Sequence, residues 1–178
     1  METDEILYVR VKQGDLRAFD ELYARHARPL FGFLRSQVPS SADAEDVLHE
    51  AFLSALESDE VTFDRARFRT WLYRIARNAA LNRARSRGRQ AAALGRLLEE
   101  PHAPPADEQL ARAETLRALD VAVGRLPEAL AEVYHLRSSG LSYEEIAAVL
   151  EVPLGTLKSR MHQLVDVLRQ ELKPWTVR

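Results

Sequence analysis

The chain has 178 residues, 46% of them hydrophobic and 29% charged, and contains no cysteine. That length fits one domain or two small ones, the composition is able to bury a core, and wholesale disorder, disulfides and thiolate metal ligands are excluded. The net charge of −2 hides an asymmetry: residues 1–60 sum to −7, residues 61–92 to +8 and residues 93–178 to −3.

Only 7 Gly occur, β-branched residues are sparse, and Ala, Leu, Arg and Glu abound, so the chain reads as all-α. METDEILYVR lacks a basic segment followed by an apolar core, and no apolar run approaches the ~18–20 residues needed to span a bilayer. A soluble, intracellular protein is expected.

Residues 3–12 form a short predicted helix, broken by Gly14. Asp15 is a good N-cap for a long helix over about 16–37, which Pro39 ends. Ser40 or Ser41 caps the next helix, about 42–57, with Asp43, Glu45 and Asp46 in a first turn that the helix dipole favours for acids. Its predicted inward stripe is Ala44, Leu48, Ala51, Ala55 and Leu56, leaving Asp46, Glu50, Leu53 and Glu57 outside. Leu53 is either merely exposed or the apolar centre of a protein-binding patch rimmed by carboxylates.

After a turn, FDRARFRTWLYRIARNAALNRARSRGR opens into a helix of about twenty residues, fading at Gly88. Nine Arg and no acid fall within 65–89. Codon bias explains Arg over Lys, 22 to 3, but not this clustering. At 100° per residue Phe68, Leu72, Ile75 and Ala79 share one face, and Arg69, Tyr73, Arg74, Arg77 and Arg85 spread around the other, with Trp71 at the boundary. Rings among guanidinium groups suit single-stranded DNA, since each ring stacks on a base for about 1–3 kcal/mol and Arg holds the backbone. The alternative, that Trp71 and Tyr73 are core residues, stays open.

ALGRLLEEPHAPPADEQLA, with Pro101, Pro104 and Pro105 among acids, marks a kinked acidic linker. Helices over 111–125 and about 128–138 follow, Pro127 suiting the first turn of the second. Then LSYEEIAAVLEVPLGTLKSRMHQL carries two amphipathic stretches parted by a tight break, the pattern of a helix-turn-helix. Ile146 and Leu150 face inward, Ala147 permits close approach, and Leu154, Leu157, Met161, Leu164 and Leu168 form one buried stripe. Thr156, Lys158, Ser159, His162 and Gln163 point the other way, with donors suited to phosphates and base edges. A plain helical hairpin with a solvated outer face is the competing reading. Glu151 stands where such turns favour Gly, at a cost of about 1 kcal/mol in a left-handed conformation, and Asp166 and Glu171 would repel phosphates.

These stretches together resemble the extracytoplasmic-function group of bacterial sigma factors. GDLRAFDELYARH is similar to the start of that family's first domain, AEDVLHEAFLSAL to its polymerase-binding segment, FRTWLYRIARNAALNRARSRGR to its melting and −10 helix, and LPEALAEVYHLRSSGLSYEEIAAVLEVPLGTLKSR to its −35-binding domain. The resemblance implies two helical domains, 1–92 for core polymerase and the −10 element and 112–173 for the −35 element, the second a four-helix domain with the helix-turn-helix, joined by a linker over 93–111. It implies that Asp46, His49, Glu50 and Leu53 face the clamp helices of the polymerase largest subunit. Arg65, Trp71, Arg74, Arg77, Asn78, Asn82 and Arg85 would line the −10 surface, and Pro153, Gly155, Lys158, Ser159, His162 and Gln163 would meet the −35 element. Further implied partners are the flap of the second-largest subunit and an anti-sigma factor. The ~20-residue linker can extend about 66 Å, beyond the ~34–36 Å of one DNA turn.

Two departures stand out. His49 replaces the family's usual Gln, which implies weakened or pH-sensitive docking; MHQLVD replaces a stretch usually richer in Arg, which with Glu151 implies a weakened −35 contact. A free-standing DNA-binding regulator and a helical adaptor are the competing functions. An enzyme is disfavoured: His26, His49, His102, His135 and His162 are scattered, HEAFL lacks the second His of a zinc-protease motif, and no glycine-rich phosphate loop occurs. Neither a metal nor a cofactor is expected.

Overall fold

The computed structural model describes residues 2–58, 67–94 and 110–173, with side chains at 2–58, 67–87 and 117–173. Among these residues there are eight helices and no strand: α1 (Asp4–Lys12), α2 (Leu16–Leu34), α3 (Ser41–Glu57), α4 (Phe68–Leu94), α5 (Leu110–Gly124), α6 (Glu128–Ser138), α7 (Tyr143–Leu150) and α8 (Leu154–Leu172). The backbone divides into two compact units, the first holding α1–α4 and the second the greater part of α5–α8. None of the described helices is long and apolar enough to cross a membrane.

In the first unit α3 packs on α2 and α4, and α1 on α2 and α4. Gly14, at φ +91°, makes the turn that only glycine takes without strain. Asp15 then caps α2, its Oδ1 accepting the N–H groups of Arg17 and Ala18 at 3.0 and 3.2 Å. The core is aromatic: Tyr8 packs on Phe68 with centroids 5.3 Å apart, Phe33 on Tyr73 at 5.7 Å, and Tyr23 on Phe52 at 4.9 Å. Burying such rings, along with Leu7, Leu22, Leu30 and Leu34, offsets the chain entropy that ordering four helices costs.

Helix α1 does more than fill a groove. Tyr8 Oη donates to the Ala55 carbonyl at 2.6 Å, and Lys12 Nζ donates to the carbonyls of Leu56 and Ser58 at 2.8 and 3.0 Å. A cation there satisfies acceptors left open at the C-terminus of α3. Glu5 Oε1 accepts the Phe68 N–H at 3.1 Å, at the start of α4. One short helix thus caps the C-terminus of α3 and the N-terminus of α4.

In the second unit α8 packs on α5 and α6, around Val133, Leu136, Leu141, Ile146, Leu157 and Leu164. Two expectations shift. Pro127 stands at the N-cap position of α6 rather than inside its first turn, and the backbone of α4 stays helical past Gly88 to Leu94. The expected linker, 93–111, lies mostly outside the described residues.

Candidate nucleic-acid and protein interfaces

Helix α3 starts at Ser40, whose hydroxyl accepts the Asp43 N–H at 3.1 Å. Its inward face is Asp43, Ala44, Val47, Leu48, Ala51, Phe52 and Ala55, which adds Asp43, Val47 and Phe52 to the expected stripe and leaves Leu56 half-buried. On the outer face Asp46, His49, Glu50 and Leu53 are all exposed and lie within an arc of ~100°, at 100° per residue. Leu53 is 57% exposed, an apolar side chain ringed by polar ones.

Of the three acids expected in the first turn of α3, Asp43 lies there and Glu45 and Asp46 come after it; Asp43 is also buried, 5% exposed. Its Oδ2 accepts the Ser40 hydroxyl at 2.6 Å, and its Oδ1 meets Arg83 Nε at 3.3 Å and the Arg87 guanidinium. Burial pushes the carboxyl up, but the Ser40 hydroxyl and the two guanidiniums outweigh it and hold it below its ordinary value. Arg83 also reaches Asp46 Oδ2 through Nη2 at 2.6 Å, so one guanidinium spans a buried and an exposed carboxylate.

Helix α4 is turned by roughly 60° from the expected orientation, at 100° per residue. Its buried face is Phe68, Leu72, Tyr73, Ala76 and Ala80, while Ile75 and Ala79 are half-buried. Tyr73, expected on the guanidinium side, is 0% exposed and packs on Phe33, with Arg69 Cζ 5.9 Å from its ring centre. It therefore cannot stack on a base. Trp71 is half-buried, its ring edge-on to Tyr8 at 5.4 Å. Five of the expected −10 residues still share a face: Trp71, Arg74, Asn78, Asn82 and Arg85 fall in an ~80° arc, while Arg77 lies about 60° beyond it, towards Tyr73. Asn78, Asn82 and Arg85 are exposed, and Trp71, Arg74 and Arg77 half-buried. Arg65 lies outside the described residues.

The helix-turn-helix is built as its sequence suggests. Ser142 and Glu145 cap α7 reciprocally, Glu145 N–H to the Ser142 hydroxyl at 3.2 Å and Ser142 N–H to Glu145 Oε2 at 2.8 Å. The motif S-x-x-E announces this capping box, a signal the periodicity reading passed over. At its other end Glu151 takes φ 56° and ψ 41°, the left-handed conformation expected there, and the Val152 N–H reaches back to the Ala147 carbonyl at 3.0 Å. Leu157, Met161 and Leu164 are buried, with Leu154 and Leu168 half-buried. All six expected −35 residues, Pro153, Gly155, Lys158, Ser159, His162 and Gln163, are exposed together with Thr156. Asp166 lies 3.5 Å from His162, one turn on, and sets a negative charge beside that face.

Sequence reasoning missed Arg83 and Arg87 as the partners of α3. The spacing shows that two Arg four apart on one helix and two Asp three apart on another are each same-face pairs, but not that the two faces meet. Among the described residues no group of His and carboxylates could hold a metal ion.

Comparison with known proteins gives these faces a context. Residues 22–90 match the family model of Sigma-70 region 2, and residues 116–165 that of Sigma-70 region 4. The chain is 34% identical to the ECF RNA polymerase sigma-E factor of Haemophilus influenzae over 97% of this chain and 96% of that one. It is equally 34% identical to the RNA polymerase sigma-H factor of Pseudomonas aeruginosa, over 97% and 95%. Among solved structures it is similar to the sigma factor RpoE in complex with the anti-sigma factor NepR from Bartonella quintana, with a TM-score of 0.72 and 26% identity over 90% of this chain and 98% of that one. It is also similar to CnrH in complex with the cytosolic domain of CnrY, with a TM-score of 0.70 and 28% identity over 97% and 99%. Two region models in the expected order, with relatives matched from end to end, place the chain in the extracytoplasmic-function family of RNA polymerase sigma factors, the promoter-specific factors of transcription initiation.

Proposed function

We propose that α3 docks this sigma factor on core polymerase while α4 and α8 read the two promoter elements. The outer arc of Asp46, His49, Glu50 and Leu53 would meet the clamp helices of the largest subunit, with the flap of the second-largest engaging the second unit. Trp71, Arg74, Arg77, Asn78, Asn82 and Arg85, with Arg65, would hold the opened −10 strand. Pro153, Gly155, Lys158, Ser159, His162 and Gln163 would enter the −35 major groove. The domains would be 1–92 and 112–173, with the acidic segment 93–111 spanning the distance between two promoter contacts.

One observation carries the reading: on each of α3, α4 and α8 most of the residues assigned to a partner lie on the arc opposite the one that builds the core, exposed on α3 and α8 and exposed or half-buried on α4. The burial of Tyr73 narrows the stacking surface to Trp71 among the described rings of α4. The factor does no chemistry of its own, works in the cytoplasm where the polymerase is, and is held in check by an anti-sigma factor, the kind of partner seen on its structural relative. Run-off transcription with purified core polymerase on a random promoter library tests this. Selection of a two-part sequence is expected, and selection of none would overturn it.

A further inference from the structure

Trp71 is the ring assigned to stacking on the opened strand, and α1 helps to hold it. Its indole lies 5.4 Å from the Tyr8 ring at an interplanar angle of 70°, an edge contact, and 6.0 Å from Phe68, one turn earlier on α4. Tyr8 and Phe68 also pack on each other, at 5.3 Å. Both of these rings are sealed, at 1% exposed each, whereas Trp71 is half-buried. Tyr8 is fixed by more than packing. Its hydroxyl donates to the Ala55 carbonyl at 2.6 Å, one of the acceptors that the end of α3 leaves open. Glu5, on the same face of α1, accepts the Phe68 N–H at 3.1 Å. Helix α1 therefore fixes both the first residue of α4 and the ring beside Trp71.

An indole free to turn about its two side-chain torsions has to be ordered each time a base arrives, and that ordering weakens binding. An edge contact with a ring that is itself immobile removes the freedom beforehand. We infer that Tyr8 is a positioning residue for Trp71: its sealed ring, tied to the end of α3, holds the indole in the orientation in which a base of the opened −10 strand stacks on it. The inference rests on the place of Trp71 in the −10 surface proposed above. Tyr8 itself meets no DNA, because it is closed off in the core. A branched or flexible apolar side chain at position 8 would fill the same space without offering the indole a ring to pack on.

The test uses the full chain carrying W175F, which leaves Trp71 as its only tryptophan. Without DNA, the time-resolved fluorescence anisotropy of Trp71 should decay with the tumbling of the protein; a dominant local rotation on the nanosecond scale or faster would overturn the proposal before any change at Tyr8. Y8L and Y8M should release such a rotation. They should also bind a labelled mixed-sequence single-stranded DNA oligonucleotide about five-fold more weakly, with helical content checked by circular dichroism. Y8F, which restores the ring and lacks only the bond to Ala55, should recover most of that affinity. If Y8F binds as weakly as Y8L, the loss follows stability and the proposal fails. In a W71A background Y8L should cost no further affinity; an equal loss there marks a merely structural role and overturns the proposal. If W71A weakens binding and Y8L does not, the inference alone fails. If W71A leaves DNA binding unchanged, the assignment of Trp71 fails and the inference with it.

Discussion

Glu151 offers a clean perturbation, because its backbone holds a conformation its side chain opposes. At φ 56° and ψ 41° it lies in the left-handed region, where a Cβ crowds the carbonyl oxygen at a cost of about 1–2 kcal/mol for a residue other than Gly. The position cannot relax, since the turn between α7 and α8 needs that conformation for the Val152 N–H to reach the Ala147 carbonyl at 3.0 Å. The side chain is exposed, so replacing Glu151 by Gly forfeits no burial. Gly loses more freedom on folding, which takes back part of the gain, and a net of about 1 kcal/mol remains. Local stability is read by native-state amide exchange at Leu157 and Leu164 in the buried stripe of α8. In E151G those amides should exchange about five-fold more slowly. E151Q separates charge from strain: it keeps the strained backbone, so exchange should not slow as it does in E151G, while −35 DNA binding improves in both variants. Equal or faster exchange in E151G would refute the reasoning, because the strain would then be offset by contacts of the Glu side chain itself.

Three further outcomes are expected. Asp43, held below its ordinary value of 3.8, contributes stability that is complete above about pH 5 and lost as the pH falls through its folded value; D43N should cost about 2 kcal/mol at pH 7 and progressively less towards pH 3, by urea unfolding across that range. Y73A should cost about 3–5 kcal/mol, whereas W71A should cost less and instead slow promoter opening, as permanganate footprinting of holoenzyme complexes would report; equal stability losses would argue that Trp71 is only a core residue. H49Q should bind core polymerase more tightly in a fluorescence titration, since the Gln amide carries two donors and an acceptor at the end of a longer side chain, where a neutral imidazole carries one of each, on the exposed face of α3.

How legible the molecule was in its residues depends on how one-sided each helix is. In α8 the Leu and Met recur at spacings of three and four and the polar residues fill the gaps, so both the buried stripe and the outward face follow from period alone. The outer face of α3 follows for the same reason. Helix α4 is different. Its Ala residues fit either side, its Arg side chains carry long apolar stems, and its aromatics are ambiguous between core and ligand, so the period left its rotation open by tens of degrees. Packing decided it, by placing Phe33 against Tyr73 and Tyr8 against Trp71.

The amino-acid sequence by itself determined that the chain is helical, that a basic segment stands between acidic ones, and that a capped helix-turn-helix closes it. These are local properties, set by propensity, capping and charge within a few residues. Only the tertiary structure decided which ring is sealed and which is presented, and which arginines answer to the protein's own acids. Asp43 shows why: a carboxylate at a helix start is ordinarily solvated, and it becomes a buried anchor only when another helix brings two guanidiniums from some forty residues away. Charge pairing across helices depends on distance in space, which no spacing along the chain encodes.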